Sequence, residues 1–180
     1  TAGTWTGPTS GAVNFVFNGW GAQEWASWEK DQHIGRIVAE AAGAELMDSE
    51  MVNEGGGIQV DGTGRVVLTE TVQLDPGRNP GMTKQQVETE LERTIGVASA
   101  LWLPRGLTRD HDTFGTRGHS DILAVFTSPE VLLMHHQADA SHPDYAITST
   151  NRGVAEQYRT HESAAFEIID LPAPETLRDD

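Results

Sequence analysis

Apolar positions along the chain switch between a two-residue and a three-to-four-residue spacing, and each switch marks an element. Val13 to Phe17 alternates as a strand does and is broken by Asn18-Gly19-Trp20-Gly21. Beyond Trp25 and Trp28, Asp31 is placed to cap a helix with Ile34, Ile37, Val38 and Ala41 on one face, ended by Gly43. Ile58 to Val60 and Arg65 to Thr69 predict a hairpin across Asp61-Gly62-Thr63-Gly64. The capping box Thr83-Lys84-Gln85-Gln86 opens a second helix that buries Val87, Leu91 and Ile95 before Gly96. Ala100 to Leu103 is a short apolar strand, and Arg105 to Asp112 a polar loop suited to act as a lid. Ile122 to Phe126 pairs with Val131 to Met134 through Ser128-Pro129-Glu130. Pro143 opens a last helix, Asp144 to Tyr158, and Phe166 to Ile169 closes the core as a strand. Thr1 to Gly11 reads as a loop, and Leu171-Pro172-Ala173-Pro174-Glu175 as a boundary. Strand, helix, hairpin, helix, strand, hairpin, helix, strand is the order of an α/β protein of repeated units rather than a doubly wound sheet.

Chemistry gathers at the joints of this pattern. Gly115-Thr116-Arg117-Gly118-His119-Ser120-Asp121 runs into the third apolar strand, and two residues apart on a strand His119 and Asp121 share a face. That pairs a group titrating near neutrality with a fixed negative charge; a hairpin rim with both side chains solvated is the bland alternative. Glu54, followed by Gly55-Gly56-Gly57, stands at another strand entrance where another group can approach the backbone closely, unless the run is only a flexible loop. Arg78 lies in the turn-rich Leu74-Asp75-Pro76-Gly77-Arg78-Asn79-Pro80, where it either borders a site or pins the loop. Trp20 lines a pocket or simply packs. Three histidines (His135, His136, His142) and two aspartates between Met134 and Asp144 raise a metal site, but neighbours on a strand point to opposite faces, and no metal is expected.

Composition narrows the class. With 27 acidic and 12 basic residues the net charge is −15, which argues against nucleic acid or an anionic membrane and suits a cationic small molecule, although acidity also serves solubility. No apolar run approaches the roughly 20 residues of a membrane span, and Thr1-Ala2-Gly3-Thr4-Trp5 is no secretory leader, so a cytoplasmic location is expected. There is no cysteine, hence no disulfide framework, no thiolate zinc site and no thiol nucleophile within these residues.

Five stretches in the same order resemble the agmatine deiminase and bacterial peptidyl-arginine deiminase family: Asn14-Phe15-Val16-Phe17-Asn18-Gly19-Trp20-Gly21, Glu54-Gly55-Gly56-Gly57-Ile58-Gln59-Val60-Asp61-Gly62, Arg78-Asn79-Pro80, Trp102-Leu103-Pro104 and Gly118-His119-Ser120-Asp121. The resemblance implies a partial pentein, an α/β-propeller of repeated ββαβ units, as one domain over residues 1–180 with a core from about residue 12 to 170 and a boundary segment at 171–180. It implies a hydrolase that splits a guanidinium C–N bond and releases ammonia without a cofactor. His119 would be the acid/base, Asp121 the guanidinium holder and Glu54 the group that orients His119, with Trp20, Arg78 and Arg117 bordering a guanidino substrate such as agmatine or an arginine. The family's nucleophile is a cysteine in a Gly-rich segment ending in His-Cys. The chain is therefore expected to be a central part, inactive alone and complete only with that segment. A non-catalytic domain binding a guanidinium, or a structural fragment, are the alternatives, and assembly into a homo-oligomer stays open. Two positions stand out: Trp5 stands where the family's guanidinium-holding aspartate is expected, so either the fragment is cut within that motif or the chain departs from it, and Arg117 stands where many relatives carry aspartate, which predicts a shift toward carboxylate-bearing guanidines.

Overall fold

A computed structural model describes residues 10–158 and 166–174. These form three small sheets flanked by helices, a mixed α/β architecture. In the first, β1 (Gly11–Val16) runs parallel to β2 (Glu45–Val52), joined through α1 (Ile34–Ala41). In the second, β3 (Gln59–Val60) and β4 (Arg65–Thr69) form an antiparallel hairpin. The chain then passes through α2 (Glu70–Gln73) and α3 (Lys84–Ile95) to β5 (Ser99–Leu103), parallel to β4. The third follows the same order: β6 (Ala124–Ser128) antiparallel to β7 (Val131–His136), then α4 (Tyr145–Gln157) and β8 (Glu167–Pro172) parallel to β7.

All five residues of β4 are buried, because its two faces serve two cores. Val67 joins Leu101, Leu103, Leu123, Leu132 and Met134 on one side, while Val66 and Leu68 join Met51, Val87, Leu91 and Val97 on the other. Successive strand side chains point to opposite faces, so a continuous apolar run is what a doubly covered strand requires. α3 takes its register from the reciprocal Thr83–Gln86 capping box and stops at Gly96, whose φ of 72° only glycine adopts without cost.

Several expectations change. The strand β2 was not legible: Asp48 and Glu50 interrupt its pattern, and Asp48 is tolerated because Asn14 and Arg36 bind it. The apolar stripe of α1 is exposed rather than buried, with Ile34, Ile37 and Val38 each more than half exposed and Ala39 buried instead. Asp31 lies in a separate single turn, Asp31–His33, and does not cap α1. Ile95 is the last residue of α3 and is 37% exposed rather than buried. Leu171 and Pro172 belong to β8, in register with His135 and His136, rather than to a boundary segment. Gly11 opens β1, while Thr1 to Thr9, with Trp5, lie outside the described residues, as does Glu175.

The second and third sheets are pinned by one cation. Arg65 is held by Asp61 through Nε at 2.6 Å, donates to the Pro129 carbonyl, and stacks 5.6 Å from the Phe126 ring and 5.7 Å from Phe166. Burial pushes the Asp61 carboxyl up, but hydrogen bonds from Thr63 and Arg65 outweigh it and bring it down to about 2. Its contribution to stability is therefore complete above the ordinary value of 3.8 and lost as pH falls through about 2. Asp61→Asn is expected to cost about 3 kcal/mol in urea unfolding at pH 7. A loss below about 1 kcal/mol would mean the pair is an ordinary surface bridge.

Candidate active site

Glu54 leaves β2 in an extended conformation and is followed by a single tight turn, Gly55–Gly57. Two neighbours hold that turn: Gln73 Nε2 donates to the Gly57 carbonyl and to Asn53 Oδ1, both at 3.0 Å. Asn79 clamps the strand end, accepting from Val52 N–H at 2.9 Å and donating to the Val52 and Gln73 carbonyls. Beside it Arg78 has no exposed side chain. Its Nε donates to Glu54 Oε1 and Oε2 at 3.0 and 3.1 Å, Nη1 to Asp75 at 2.9 Å, and Nη2 to the Thr116 carbonyl at 2.7 Å. Arg78 thus bonds to Glu54, to Asp75 and to the loop before His119, as the loop-pinning reading expects.

On its other side Glu54 meets His119, with Nε2 3.0 Å from Oε2. Burial pushes the Glu54 carboxyl up, yet the hydrogen bonds from His119 and Arg78 and the Arg78 charge hold it below its ordinary 4.5. An ionised carboxylate only accepts, so Nε2 is the donating nitrogen toward Glu54 and Nδ1 is turned away from it. Nδ1 faces Gly56. A side chain there would lie within contact distance of His119 Nδ1 and 2.7 Å from Asp121 Oδ2. The missing Cβ is therefore what lets the imidazole and the carboxylate border one gap. Asp121 N–H and Ser120 Oγ both donate to the Gly56 carbonyl at 3.1 Å, tying the two segments together.

His119 and Asp121 converge for a different reason from the one the spacing suggested. The strand begins only at Ala124; residues 121–123 form a turn, and the pair meets by wrapping round Gly56, with Asp121 exposed. A buried Arg78–Glu54–His119 chain of hydrogen bonds thus fixes an imidazole beside an exposed carboxylate.

A family model described as Porphyromonas-type peptidyl-arginine deiminase matches residues 2–180. The chain belongs to this family. A provisionally named agmatine deiminase of Streptomyces avermitilis is 48% identical over 171 residues, covering 94% of this chain and 49% of that protein. The agmatine deiminase of Medicago truncatula is 32% identical, covering 92% of this chain and 44% of its own length. Among solved structures, the agmatine deiminase of Enterococcus faecalis superposes with a TM-score of 0.84 at 26% identity, covering 91% of this chain and 45% of that one. The chain thus spans about half the length of the curated relatives it matches.

Around this candidate site the other expected residues take particular places. Trp20 stacks on Trp25 at 5.3 Å and meets the edge of Phe17 at 5.1 Å, and Trp25 meets Phe114 at 5.2 Å, so Trp20 is one step in an aromatic ladder. Gln23 Nε2 donates to the Gly115 carbonyl at 2.7 Å, which binds the ladder to the His119 loop. Arg117 is exposed with φ 68°. Trp20, Ala22, Phe114 and Arg117 are the non-glycine residues with positive φ among those described, and all four lie in these two segments. Backbone strain concentrated beside a candidate site is a pattern of functional loops. Among the described residues no three His, Asp or Glu side chains gather as metal ligands, the His135–Asp144 stretch included.

Two residues were missed. Asp75 fixes Arg78, and Asp110 accepts hydrogen bonds from the loop ahead of His119, so the segment from Arg105 to Asp112 is anchored to the site rather than a free lid. The signal was an acid preceding Thr-x-Gly-His by six residues, the reach of a side chain that caps a loop's backbone.

Arg78→Lys keeps the charge but not the fork that serves three partners, and is expected to destabilise by about 2–3 kcal/mol. Because the Glu54 pKa is depressed, its stabilisation is complete above about 4.5 and lost as pH falls through the folded-state value. Urea midpoints between pH 6 and 3 should therefore fall less steeply in Glu54→Gln than in wild type. Identical slopes would place no ionised Glu54 in the fold.

Proposed function

We propose that this chain carries the acid/base and guanidinium-holding groups of a hydrolase that deiminates a guanidino compound. The observation that carries the reading is the Glu54 carboxylate bound at once to Arg78 and His119, with Asp121 across the Gly56 gap. A guanidinium is a flat cation whose N–H groups match a carboxylate, which is the part assigned to Asp121. His119, its Nε2 proton held by Glu54, transfers protons through Nδ1. Membership of the family and the names of its relatives support this over a non-catalytic or structural role.

The chain has no cysteine, so the thiolate of the proposed scheme comes from residues outside these 180. The thiol gives its proton to His119 Nδ1, sulfur attacks the guanidinium carbon and a C–N bond breaks, the leaving nitrogen taking that proton to depart as ammonia. Water gives one proton to Nδ1 as it adds to the same carbon; the C–S bond then breaks, the sulfur taking that proton back and the hydroxyl losing its own to solvent, which leaves a ureido product. The exposed Asp121 suits a cavity completed by further chain, as does a length near half that of the relatives. We further propose that the three sheets are units of a pentein ring of repeated ββαβ elements in one domain, and that the protein acts in the cytoplasm. The repeated pairing order supports the first; among the described residues no helix is long and apolar enough to cross a membrane.

In the full-length natural protein, ammonia release should be measured with agmatine, free arginine and a peptidyl-arginine. His119→Gln is expected to lower kcat by about 10² to 10⁴, and Asp121→Asn to raise KM more than it lowers kcat. Wild-type turnover left intact by both variants would refute the assignment. Arg117→Asp is expected to move preference from carboxylate-bearing guanidines toward agmatine; an unchanged ratio removes Arg117 from the substrate site.

A further inference from the structure

We propose that Asp110 is a positioning residue for His119, acting through the four consecutive backbone amides of residues 116–119. The inference rests on the deiminase reading above. Thr116 N–H donates to Asp110 Oδ1 at 2.7 Å, Gly118 N–H to Oδ2 at 2.6 Å and His119 N–H to Oδ2 at 3.1 Å, while Arg117 N–H donates to the Asp110 main-chain carbonyl at 2.8 Å. Thr116 Oγ1 adds a bond to Oδ2 at 2.6 Å. Such a curl needs left-handed residues, and Arg117 at φ 68° and Gly118 at φ 113° supply them. Successive amides curled in this way form a concave nest for an anion, here filled by the protein's own carboxylate. The left-handed Arg117 persists because Asp110 outbids its strain.

The loop is held from behind as well. Thr69 Oγ1, on the buried strand β4, donates to the Gly118 carbonyl at 2.6 Å, and a side chain at 118 would strike Thr71 and Gly106. Asp110 is itself set by the turn Thr108–His111, whose Thr108 N–H donates to Asp144 at 2.7 Å. Asp121 is anchored independently, through Gly56. The two residues thus hang on different main-chain supports: Asp110 holds the His119 amide, while the Gly56 carbonyl holds the Asp121 amide. Loss of Asp110 therefore acts on the proton-transfer step and spares substrate binding.

The test uses the full-length natural protein with Asp110→Asn, which keeps the size and one acceptor but turns an NH2 toward amide donors. The expected result is a kcat lowered by about 10-fold to 100-fold, the scale of a displacement near 1 Å, with KM for the guanidine within about twofold and an altered acid limb of the pH–rate profile. Amide exchange at Thr116, Gly118 and His119 should quicken, and the nitrogen signals of the His119 ring should shift. An unchanged kcat, or kcat and KM lost together with the melting temperature, overturns the proposal. If the wild type turns over none of the guanidines, the deiminase reading falls, and amide exchange with the His119 ring signals then decides on Asp110 alone: unchanged signals overturn it, shifted ones support it. Should Asp110→Asn fail to fold, Thr116→Val, which removes one bond to the carboxylate, is expected to lower kcat in the same direction at constant KM; an effect on KM alone would overturn the assignment.

Discussion

A buried carboxylate must be repaid in kind, and Glu54 is repaid twice, by the Arg78 guanidinium and by the His119 imidazole. An ionised group in a low-dielectric interior is tolerable only with opposite charge and donors in good geometry. The demand spreads outward. Arg78 needs further acceptors and takes them from Asp75 and the Thr116 carbonyl, so segments far apart in sequence are drawn to one point. The turn after β2, the turn after α2 and the loop before β6 are all located by that chain of charges.

The remaining architecture supplies rigid ground. β4, buried on both faces, sends Thr69 to the Gly118 carbonyl and Arg65 to the turn of the β6–β7 hairpin, so the central strand of one sheet registers the next. Residues with unfavourable positive φ gather in the two loops the sheets support, the Trp20–Ala22 turn and the Phe114–Arg117 loop. A packed core that tolerates little movement lets neighbouring loops keep backbone conformations they would not hold alone. The site is accordingly a set of loops stretched over fixed strands, which is where chemical variety is usually carried.

Much of this was legible beforehand where local rules govern. The Asp61-Gly62-Thr63-Gly64 hairpin, the Thr83–Gln86 capping box and the Gly96 stop follow from short-range geometry and stand where the pattern put them. What escaped depended on partners elsewhere. Asp48 looks like a strand breaker until Asn14 and Arg36 are beside it. Ile34, Ile37 and Val38 make an apolar stripe, yet periodicity says only that a face is apolar, not that something covers it. Asp110 was one acid in a polar loop, and its place six residues before Thr-x-Gly-His hints at a local cap without announcing that four amides from Thr116 to His119 will close on it.

By itself the sequence determined most of the element types, the absence of a thiol within these 180 residues, the excess of negative charge, and which imidazole and acids were worth watching. Only the folded chain decided that Arg78 serves Glu54, that Nε2 of His119 meets Glu54 while Nδ1 faces Gly56, and that His119 and Asp121 meet round Gly56 rather than along a strand. The reason is range: capping, turns and alternation act over a few residues. Pairing Glu54 with His119 spans 65 positions and is set by the burial cost of charge, which exists only once the interior does.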